Sequence, residues 1–363
     1  MADQTAIPFL HMRGGTSKGP VFNKKDLPRD QEILGKVLMA AVGSGHQLNI
    51  DGIGAGNSVT TKVPILSKSN DEWADIDYFF VQVQALEKVV DFTTTCGNML
   101  SAVGPAAIEM GLVKAKADET IIKIRAVNTG GRFVSKVETP NGNLVYQGET
   151  SIDGVPGTAA PVELTFMDVT GSKTGKFLPT GNLRDLIDGI EVTCMDVTMP
   201  VVIGRAADFG ISGYEDREKL DLNKPLFATM ESIRLQAAKL MGLGNVSGSV
   251  APKFALFAPP KQGGSLCVRY FMPWQTHPTL AVTSSQCLAA CALTIGSVAD
   301  GLVDQLNGNS SDVLFEHPLG FMNVRLDYQN NGVHSVVRSA QIVRTARKLS
   351  SGLIYIPSSI WSA

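Results

Sequence analysis

The sequence has no long apolar run and no strong excess of either charge. It contains no stretch of eighteen apolar residues, and its first residues, MADQTAIPFLHM, lack the basic and apolar segments of a signal peptide. Its 32 Lys and Arg nearly balance 34 Asp and Glu, giving a net charge of −2, so we expect no long-range attraction to nucleic acid or an anionic membrane. We therefore expect a cytoplasmic protein that holds any anionic ligand through local donors.

Patterns typical of metal, disulfide and dinucleotide sites are also missing. The five cysteines are odd in number and show no CxxC spacing, and no HExxH segment occurs. At least one thiol is free, as a reducing compartment permits. In DGIGAGN, residues 51–57, Asn57 replaces the third glycine of a dinucleotide loop, and a strand-like segment follows. We predict no metal site, and the reaction inferred below requires no organic cofactor.

The stretch RGGTSKGP, residues 13–20, matches parts of several functional loops. It lacks the lysine that a phosphate-binding P-loop needs, but it contains G-x-S-x-G, the pattern of a nucleophilic serine turn. Alternatively, the glycines let backbone N–H groups approach a carboxylate, with Thr16 and Ser17 as hydroxyl donors. The residues after Ser17 indicate a strand and a turn instead of the helix that a nucleophile turn requires. The carboxylate cradle is favoured, and an esterase using Ser17 stays an alternative.

The sequence pattern predicts an α+β protein made of two similar halves. Helices are predicted at 30–44, 97–113, 228–243 and 284–306, and strands dominate elsewhere. SVTTKVPIL and SVAPKFALF place Lys62 and Lys253 at matching positions, 191 residues apart, and a helix of small residues follows each. We predict domains at 1–187 and 188–349, the first completed by a C-terminal strand near 350–363.

The segment TTTCGN marks a candidate site at a helix start. Cys96, Gly97 and Asn98 lie where free N–H groups and the helix dipole favour negative charge, so a carboxylate can bind there and a thiol ionises more easily. The simpler interpretation is a small residue that caps a buried helix. For Lys62 the simpler interpretation is an exposed strand lysine, and the functional one is an enclosed lysine that accepts a proton.

Long motifs in a fixed order carry a family resemblance. They cover nearly the whole chain: MRGGTSKG, IDGIGAGNSVTTKV, CGNM, SIDGVPGTAAP, KFLPTGN, VRYFMPWQTHPTLAVT, EHPLG and VRTARK. The chain resembles the 2-methylaconitate isomerase (PrpF) family, which also includes 4-oxalomesaconate tautomerase, 3-methylitaconate isomerase and aconitate isomerases.

The resemblance implies the diaminopimelate epimerase-like fold. In that fold, two pseudo-symmetric domains each curl a barrel-like mixed sheet around a central helix, and the active site lies between the two helix N-termini. Cys96 matches the first of two epimerase cysteines, whereas Thr283, Ser284 and Ser285 stand at the second helix start. A two-thiol racemase is therefore disfavoured, and the resemblance gives the missing role to Lys62.

Residues and resemblance together predict a cofactor-independent isomerase of small unsaturated di- or tricarboxylates. Lys62 is the candidate base, and Cys96 is the candidate proton donor or a group that orients the intermediate. An epimerase and a non-catalytic carboxylate-binding protein stay alternatives. The expected partner is a small polycarboxylate, not nucleic acid or a membrane, and a homo-oligomer is left open. The predicted substrate contacts are Thr16, Ser17, Gly97, Asn98, Arg269, His277, Thr283 and Ser284.

Overall fold

A computed structural model describes residues 3–303, 309–330 and 335–362. The chain divides into two compact units. The N-terminal unit contains Met1–Phe166 together with Val343–Ala363, and the C-terminal unit contains Met167–Ile342. We propose that these two units are the two domains of the chain.

Strands outnumber helices in the described part of the chain. The first strands and helices are β1 (Gln4–Gly14), β2 (Ser17–Asn23), α1 (Gln31–Val42), β3 (Lys62–Lys68), β4 (Ile76–Val83), β5 (Val90–Asp91), α2 (Gly97–Glu109), β6 (Asp118–Ala126), β7 (Arg132–Thr139) and β8 (Pro161–Met167). They are followed by β9 (Asp185–Ile187), β10 (Ile190–Val197), β11 (Met199–Arg205), α3 (Arg217–Asp221), α4 (Lys224–Leu240), β12 (Lys253–Ala258), β13 (Leu266–Met272), β14 (Gln275–Thr276), α5 (Val282–Ala292), β15 (Ser310–His317), β16 (Gly320–Asn330) and β17 (Ser335–Pro357). Short 3-10 helices lie at Lys24–Asp26, Pro140–Gly142 and Ala206–Phe209.

The N-terminal unit is a mixed sheet around α2. Its strand order is β8–β17–β1–β2–β3–β4–β6–β7, in which β2–β3 and β4–β6 are parallel. Helix α2 contacts both β1 and β7, so the sheet curls around it. Small residues make this possible, because a Cβ on Gly104 would lie 2.6 Å from Ser135 Oγ. Helix α1 covers the opposite face, where Val37 and Leu38 join Val63 and Val81 in one core.

The C-terminal unit repeats this topology. Its strand order is β9–β10–β11–β12–β13–β15–β16–β17, again with two parallel pairs, β11–β12 and β13–β15. Helix α5 contacts β10, β11 and β16, as α2 contacts its own strands, and α4 covers the other face. Lys62 and Lys253 begin the equivalent strands β3 and β12. The predicted α+β class and the internal duplication are confirmed.

The unit boundaries differ from those drawn on the sequence. A boundary at 187/188 would cut the hairpin of β9 and β10, where Ile187 pairs with Ile190 through a turn at Asp188 and Gly189. Both turn residues have positive φ, as an Asp-Gly turn of type I′ requires. A boundary at 349/350 would cut β17 within the part that pairs with β1. The turn signal of Asp188-Gly189 was present in the sequence and was overlooked.

The predicted helices 30–44, 97–113 and 228–243 correspond to α1, α2 and α4. The helix predicted at 284–306 is wrong in length, because α5 ends at Ala292. Gly296 adopts φ +83°, and the Ser297 hydroxyl donates to the Cys291 carbonyl at 2.8 Å, which satisfies a carbonyl at the helix end. Residues 304–306 of that prediction lie outside the described residues. Among the helices described, none is both long and apolar enough to cross a membrane.

Candidate active site

The tip of the β1–β2 hairpin packs on the first turn of α2. Gly14 and Ser17 are the last paired residues, so Gly15 and Thr16 form the turn, and Gly15 has φ +51°. A Cβ on Gly14 would lie 2.7 Å from the Asn98 carbonyl oxygen, and one on Gly15 would overlap the Asn98 side chain. The two glycines of RGGTSKG therefore let the hairpin reach the helix.

Three predicted substrate contacts lie together at this tip. Asn98 Nδ2 donates to Thr16 Oγ1 at 3.0 Å, and Thr16 is exposed. Asn98 Oδ1 is buried and has no hydrogen-bond partner among the described residues. Ser17 is 3% exposed and is the first residue of a strand, so the strand–turn–helix geometry of a nucleophilic serine is absent there.

Cys96 is the N-cap residue of α2. Its backbone is extended (φ −133°, ψ 111°), its side chain makes no capping hydrogen bond, and the first turn carries no acidic residue. The first-turn N–H groups, including those of Gly97 and Asn98, are therefore left to bind an anion. The buried Tyr78 hydroxyl donates to the Cys96 carbonyl at 3.2 Å, which fixes the backbone of the helix start.

Lys62 is half-buried and is held by one amide side chain. Its Nζ donates to Gln82 Oε1 at 2.8 Å and lies 5.5 Å from the centre of the Phe80 ring. The Gln82 amide is itself oriented, because its Nε2 donates to the carbonyls of Ser58 and Val83, both at 3.1 Å. Flipping the amide would turn Oε1 towards these two carbonyl oxygens and lose both hydrogen bonds, so Oε1 is the atom that faces Lys62.

One face of β4 connects the two candidate catalytic residues. Tyr78, Phe80 and Gln82 alternate along the strand and therefore share a face. Tyr78 binds the backbone of Cys96, whereas Gln82 and Phe80 contact Lys62. The structure thus brings Lys62 and Cys96 to the same side of the sheet of the N-terminal unit.

Sequence reasoning missed Tyr78 and Gln82. The only signal was their alternation in IDYFFVQV, but their partners depend on how β4 pairs with β3, which places Lys62 opposite Gln82. Gly19 was also passed over. A Cβ on Gly19 would overlap the Lys62 carbonyl oxygen, so this glycine lets β2 lie close beside the start of β3.

A buried arginine lies near the start of α2 and was missed as well. Lys348, in the same strand β17, binds Glu109 at the end of α2 at 2.7 Å, and Arg344 lies four residues earlier on the same face. Burial lowers the pKa of Arg344 to about 10, and the nearby Asp153 carboxylate opposes that shift. Asp153 adjoins Gly154, whose added Cβ would lie 3.1 Å from Thr16. Arg344 and Asp153 therefore place opposite charges close together, in the neighbourhood of Thr16.

In the C-terminal unit, Ser284 and His277 lie around Tyr270. The Tyr270 and Ser284 hydroxyls are 2.7 Å apart, and the Tyr270 and His277 rings are 5.5 Å apart. Burial, with Lys253 and Arg217 as smaller contributions, lowers the pKa of His277. Thr283, half-buried, is the second residue of α5. The structure therefore groups three of the four predicted C-terminal contacts near the start of α5.

The structure does not bring Arg269 to this group. Arg269 neighbours Tyr270 in β13 and so lies on the opposite face of the strand. Its guanidinium donates to the carbonyls of Glu215 at 2.7 Å and Val268 at 3.0 Å. In this unit Arg269 links β13 to the segment before α3 through the Glu215 carbonyl. The described residues also contain no cluster of three or more His, Cys, Asp or Glu side chains suited to a metal ion.

Comparison with known proteins gives consistent matches. The family model described as PrpF protein matches residues 4–357. A (4E)-oxalomesaconate Delta-isomerase of Novosphingobium sp. strain KA1 is 44% identical over 351 residues, covering 97% of this chain and 98% of that protein. The crystal structure of a methylitaconate-delta-isomerase superposes with a TM-score of 0.89 at 31% identity, covering 100% of this chain and 98% of that one. A hydroxyproline epimerase from Agrobacterium vitis shares the fold, with a TM-score of 0.53 at 11% identity over 99% of this chain and 94% of that one.

Proposed function

The chain belongs to the PrpF family and is an isomerase, and we propose that it isomerises a small unsaturated di- or tricarboxylate by moving one allylic proton. One observation supports this proposal most directly. A single face of β4 holds the Lys62 amine through Gln82 and binds the backbone of Cys96 through Tyr78. The relatives named for oxalomesaconate and methylitaconate support the substrate class, because both acids carry allylic C–H bonds beside carboxylates.

In the first step, Lys62 in its neutral form removes the allylic proton. A neutral amine has two N–H bonds and one lone pair, and Gln82 Oε1 at 2.8 Å accepts one of the N–H groups. The lone pair is thereby directed away from Gln82. The C–H bond breaks, an N–H bond forms, and the electron pair spreads over the double bond and the carboxylate as a dienolate.

The dienolate carries extra negative charge that needs stabilisation. The free N–H groups at the start of α2, together with the Thr16 and Asn98 side chains, supply preorganised dipoles. Buried Arg344 lies in the same unit, with the Asp153 carboxylate near its guanidinium. We propose that these groups hold the carboxylate into which the negative charge moves, with Ser17 beside them.

In the second step, a proton returns to the dienolate. If Cys96 donates its proton to the far end of the delocalised system, the double bond shifts, and exchange with solvent then takes the proton from the Lys62 ammonium and returns one to the Cys96 thiolate. If the bond rotates and the proton returns to its original carbon, the product is the geometric isomer. Neither path requires a redox or electron-sink cofactor, and we propose a cofactor-independent reaction.

The test is proton NMR in D₂O with cis-aconitate, trans-aconitate, 2-methylaconitate, 3-methylitaconate and 4-oxalomesaconate. We expect one acid to isomerise with deuterium incorporation, and Lys62→Ala to lower the rate by on the order of 100- to 10,000-fold. Lys68→Ala, at the exposed end of the same strand, is the matched control and keeps the wild-type rate.

Cys96→Ala separates donation from orientation. Slow deuterium delivery to the far carbon with continued exchange at the original allylic carbon indicates that the thiol is the donor. Turnover of none of the five acids by the wild type, or equal rates for Lys62→Ala and Lys68→Ala, would contradict the proposed function. Exchange at an sp³ stereocentre instead of an allylic carbon would favour an epimerase.

A further inference from the structure

Three cationic side chains form a row across neighbouring strands of the N-terminal unit. Arg13 of β1 pairs with Lys18 of β2 and, on its other side, with Arg347 of β17. Residues that pair directly project from the same face of a sheet, with their Cβ atoms about 5 Å apart. Like charges placed directly opposite one another destabilise a sheet, so this row by itself costs stability.

The row lies on the face of the sheet that points away from α2. Gly14, the residue after Arg13, faces α2, because a Cβ on it would lie 2.7 Å from the Asn98 carbonyl oxygen. Successive residues of a strand point to opposite faces, so Arg13 and its two partners point away from this helix. The row is therefore separate from the candidate catalytic residues Lys62 and Cys96, which lie on the α2 side of the sheet.

No acidic side chain neutralises the row within the described part of the chain. None of its three members takes part in an ion pair between described residues. The Arg13 guanidinium uses one nitrogen, Nη1, which donates to the carbonyls of Gly15 at 3.0 Å and Thr345 at 2.9 Å. Because an arginine carries five N–H donors, the N–H groups of Nε and Nη2 stay available to a ligand.

A histidine with an unsatisfied ring nitrogen lies beside the row. His11 comes two residues before Arg13 and shares its face of β1. Its Nε2 is buried and has no hydrogen-bond partner among the described residues. Burial and then the Lys18 charge lower the pKa of His11, and burial and then the Arg347 charge lower the pKa of Arg13. The charges that act on both groups are thus positive, which favours an anion here.

The number of cations indicates the class of anion. Arg347 is exposed and Arg13 and Lys18 are half-buried, so a ligand can reach the row from solvent. A carboxylate carries one charge and matches one guanidinium. A phosphate group carries up to two charges and three strong acceptor oxygens, so it can bind several cations at once. Three adjacent cations therefore match a phosphate group better than a carboxylate.

We propose that Arg13, Lys18 and Arg347 form a phosphate-binding site, with His11 beside it, on the face of the N-terminal unit that points away from α2. The ligand is a phosphate group, supplied either by inorganic phosphate or by a small phosphorylated molecule. Bound phosphate offsets the repulsion within the row, so binding stabilises β1, β2 and β17. The site does not depend on the isomerase chemistry proposed for the α2 side of the sheet.

The test is isothermal titration calorimetry with inorganic phosphate and with glycerol 3-phosphate, at an ionic strength held constant with sodium chloride. It compares the wild type with Arg347→Gln, and Arg29→Gln, an exposed arginine before α1, is the matched control. We expect phosphate to bind about 10- to 100-fold more weakly to Arg347→Gln and unchanged to Arg29→Gln. Tighter binding of glycerol 3-phosphate than of inorganic phosphate identifies a phosphorylated molecule as the ligand, and the reverse order identifies free phosphate. Lys18→Gln repeats the comparison if Arg347→Gln does not fold.

Two further measurements locate the bound phosphate. In thermal unfolding without phosphate, Arg347→Gln is expected to melt no lower than the wild type, because one repulsion is gone. With phosphate, the melting temperature rises for the wild type and for Arg29→Gln but not for Arg347→Gln. In proton NMR, the ring signals of His11, assigned with His11→Gln, are expected to shift with phosphate while those of exposed His46 stay in place.

The outcomes separate this proposal from the isomerase proposal. Equal phosphate binding by wild type and Arg347→Gln, or a shift of the His277 signals instead of the His11 signals, overturns the site. A stabilisation that sodium chloride reproduces also overturns it, because general screening of charge then accounts for the effect. Phosphate binding that depends on Arg347, without turnover of any of the five acids, would remove the isomerase mechanism and leave this site standing.

Discussion

The amide of Gln82 controls where the Lys62 amine points. Gln82→Leu keeps the bulk of the side chain and removes the acceptor that holds Nζ at 2.8 Å. Because a reacting group misplaced by about 1 Å loses on the order of 100-fold in rate, we expect a 10- to 100-fold lower kcat with little change in KM. Initial rates by NMR measure this. Gln84→Leu, one residue beyond the end of β4, is the control, and equal rates in the two variants would refute the role of Gln82.

The lowered pKa of Lys253 makes the stability of the folded protein increase with pH. Its pKa is about 8 in the folded protein against 10.5 for an ordinary lysine. Between these two pH values the unfolded chain binds a proton that the folded chain does not, so the free energy of unfolding rises with pH. Below about pH 8 both states are protonated, and the folded protein bears the full cost of a buried ammonium group. The difference amounts to about 3 kcal/mol.

Urea unfolding of wild type and Lys253→Met at pH 7.5, 9 and 10.5 measures this contribution. Because other lysines and tyrosines titrate in the same range, the difference between the two proteins is the quantity of interest. We expect Lys253→Met to be the more stable at pH 7.5 and the gap to close as the pH rises. A gap that is independent of pH would contradict a lowered pKa for Lys253.

At the scale of elements, the close approach of β2 and β3 depends on Gly19. Gly19→Ala would push a Cβ into the Lys62 carbonyl, and backbone cannot move aside as a flexible side chain can. We expect a loss of about 3 kcal/mol or more, which lowers the melting temperature by roughly 6 to 12 °C. Gly352→Ala in β17 is the control, since its Cβ would meet nothing within 4 Å. Equal melting temperatures would contradict this account of the strand contact.

Helix α2 begins with a residue that does not cap it. Ser at position 96 can accept from the N–H groups of the first turn, so Cys96→Ser is expected to stabilise the helix by about 1 kcal/mol, or roughly 2 to 4 °C. The same change removes the thiol and is expected to lower isomerase turnover. Calorimetry and NMR rates on one sample check both effects. A variant that is less stable and equally active would contradict the assignment of Cys96.

Local patterns predicted the elements better than their contacts. The spacing of apolar residues indicated α1, α2 and α4, and the residues after Ser17 indicated a strand. The length of α5 was wrong because its apolar residues continue past the helix end at Ala292. Gln82 could not be found, since it lies 20 residues from Lys62 and meets it only through the register of β3 and β4. Arg269 was proposed from its charge, but its position opposite Tyr270 on β13 and its bond to the Glu215 carbonyl depend on the fold.

At the scale of the whole chain, the N-terminal unit is built from both ends of the sequence. Strand β1 pairs with β17 from Gln4–Pro357 to Gly14–Ala346. Ending the chain at residue 342 removes that partner, so we expect the N-terminal unit to lose its protection from hydrogen exchange while β10–β13 keep theirs. Exchange followed by mass spectrometry compares the two units in one sample. Unchanged protection in β1–β4 would refute a dependence of this unit on β17.

The internal duplication was readable from the sequence, whereas the boundaries were not. SVTTKVPIL and SVAPKFALF identified equivalent strands because they share Ser, Val and Lys at matching places, and each lysine begins its strand. The division at 166/167 and 342/343 depends on which strands pair across long separations. The local composition near residue 166 or residue 342 does not indicate such pairing. The Asp188-Gly189 turn was the one local signal against a boundary at 187/188.

The pairing of β1 with β17 sets an order of events during synthesis. The first part of the N-terminal unit ends at Phe166, and the part of β17 that pairs with β1 follows residue 342. The ribosome must therefore add residues 167–342 before β1 can pair with β17. At about 5 to 20 residues per second, this delay is on the order of 9 to 35 s. The C-terminal unit, contiguous in sequence, can complete itself first. During the delay β1 is an unpaired edge strand, so the nascent chain is open to misfolding and to capture by chaperones.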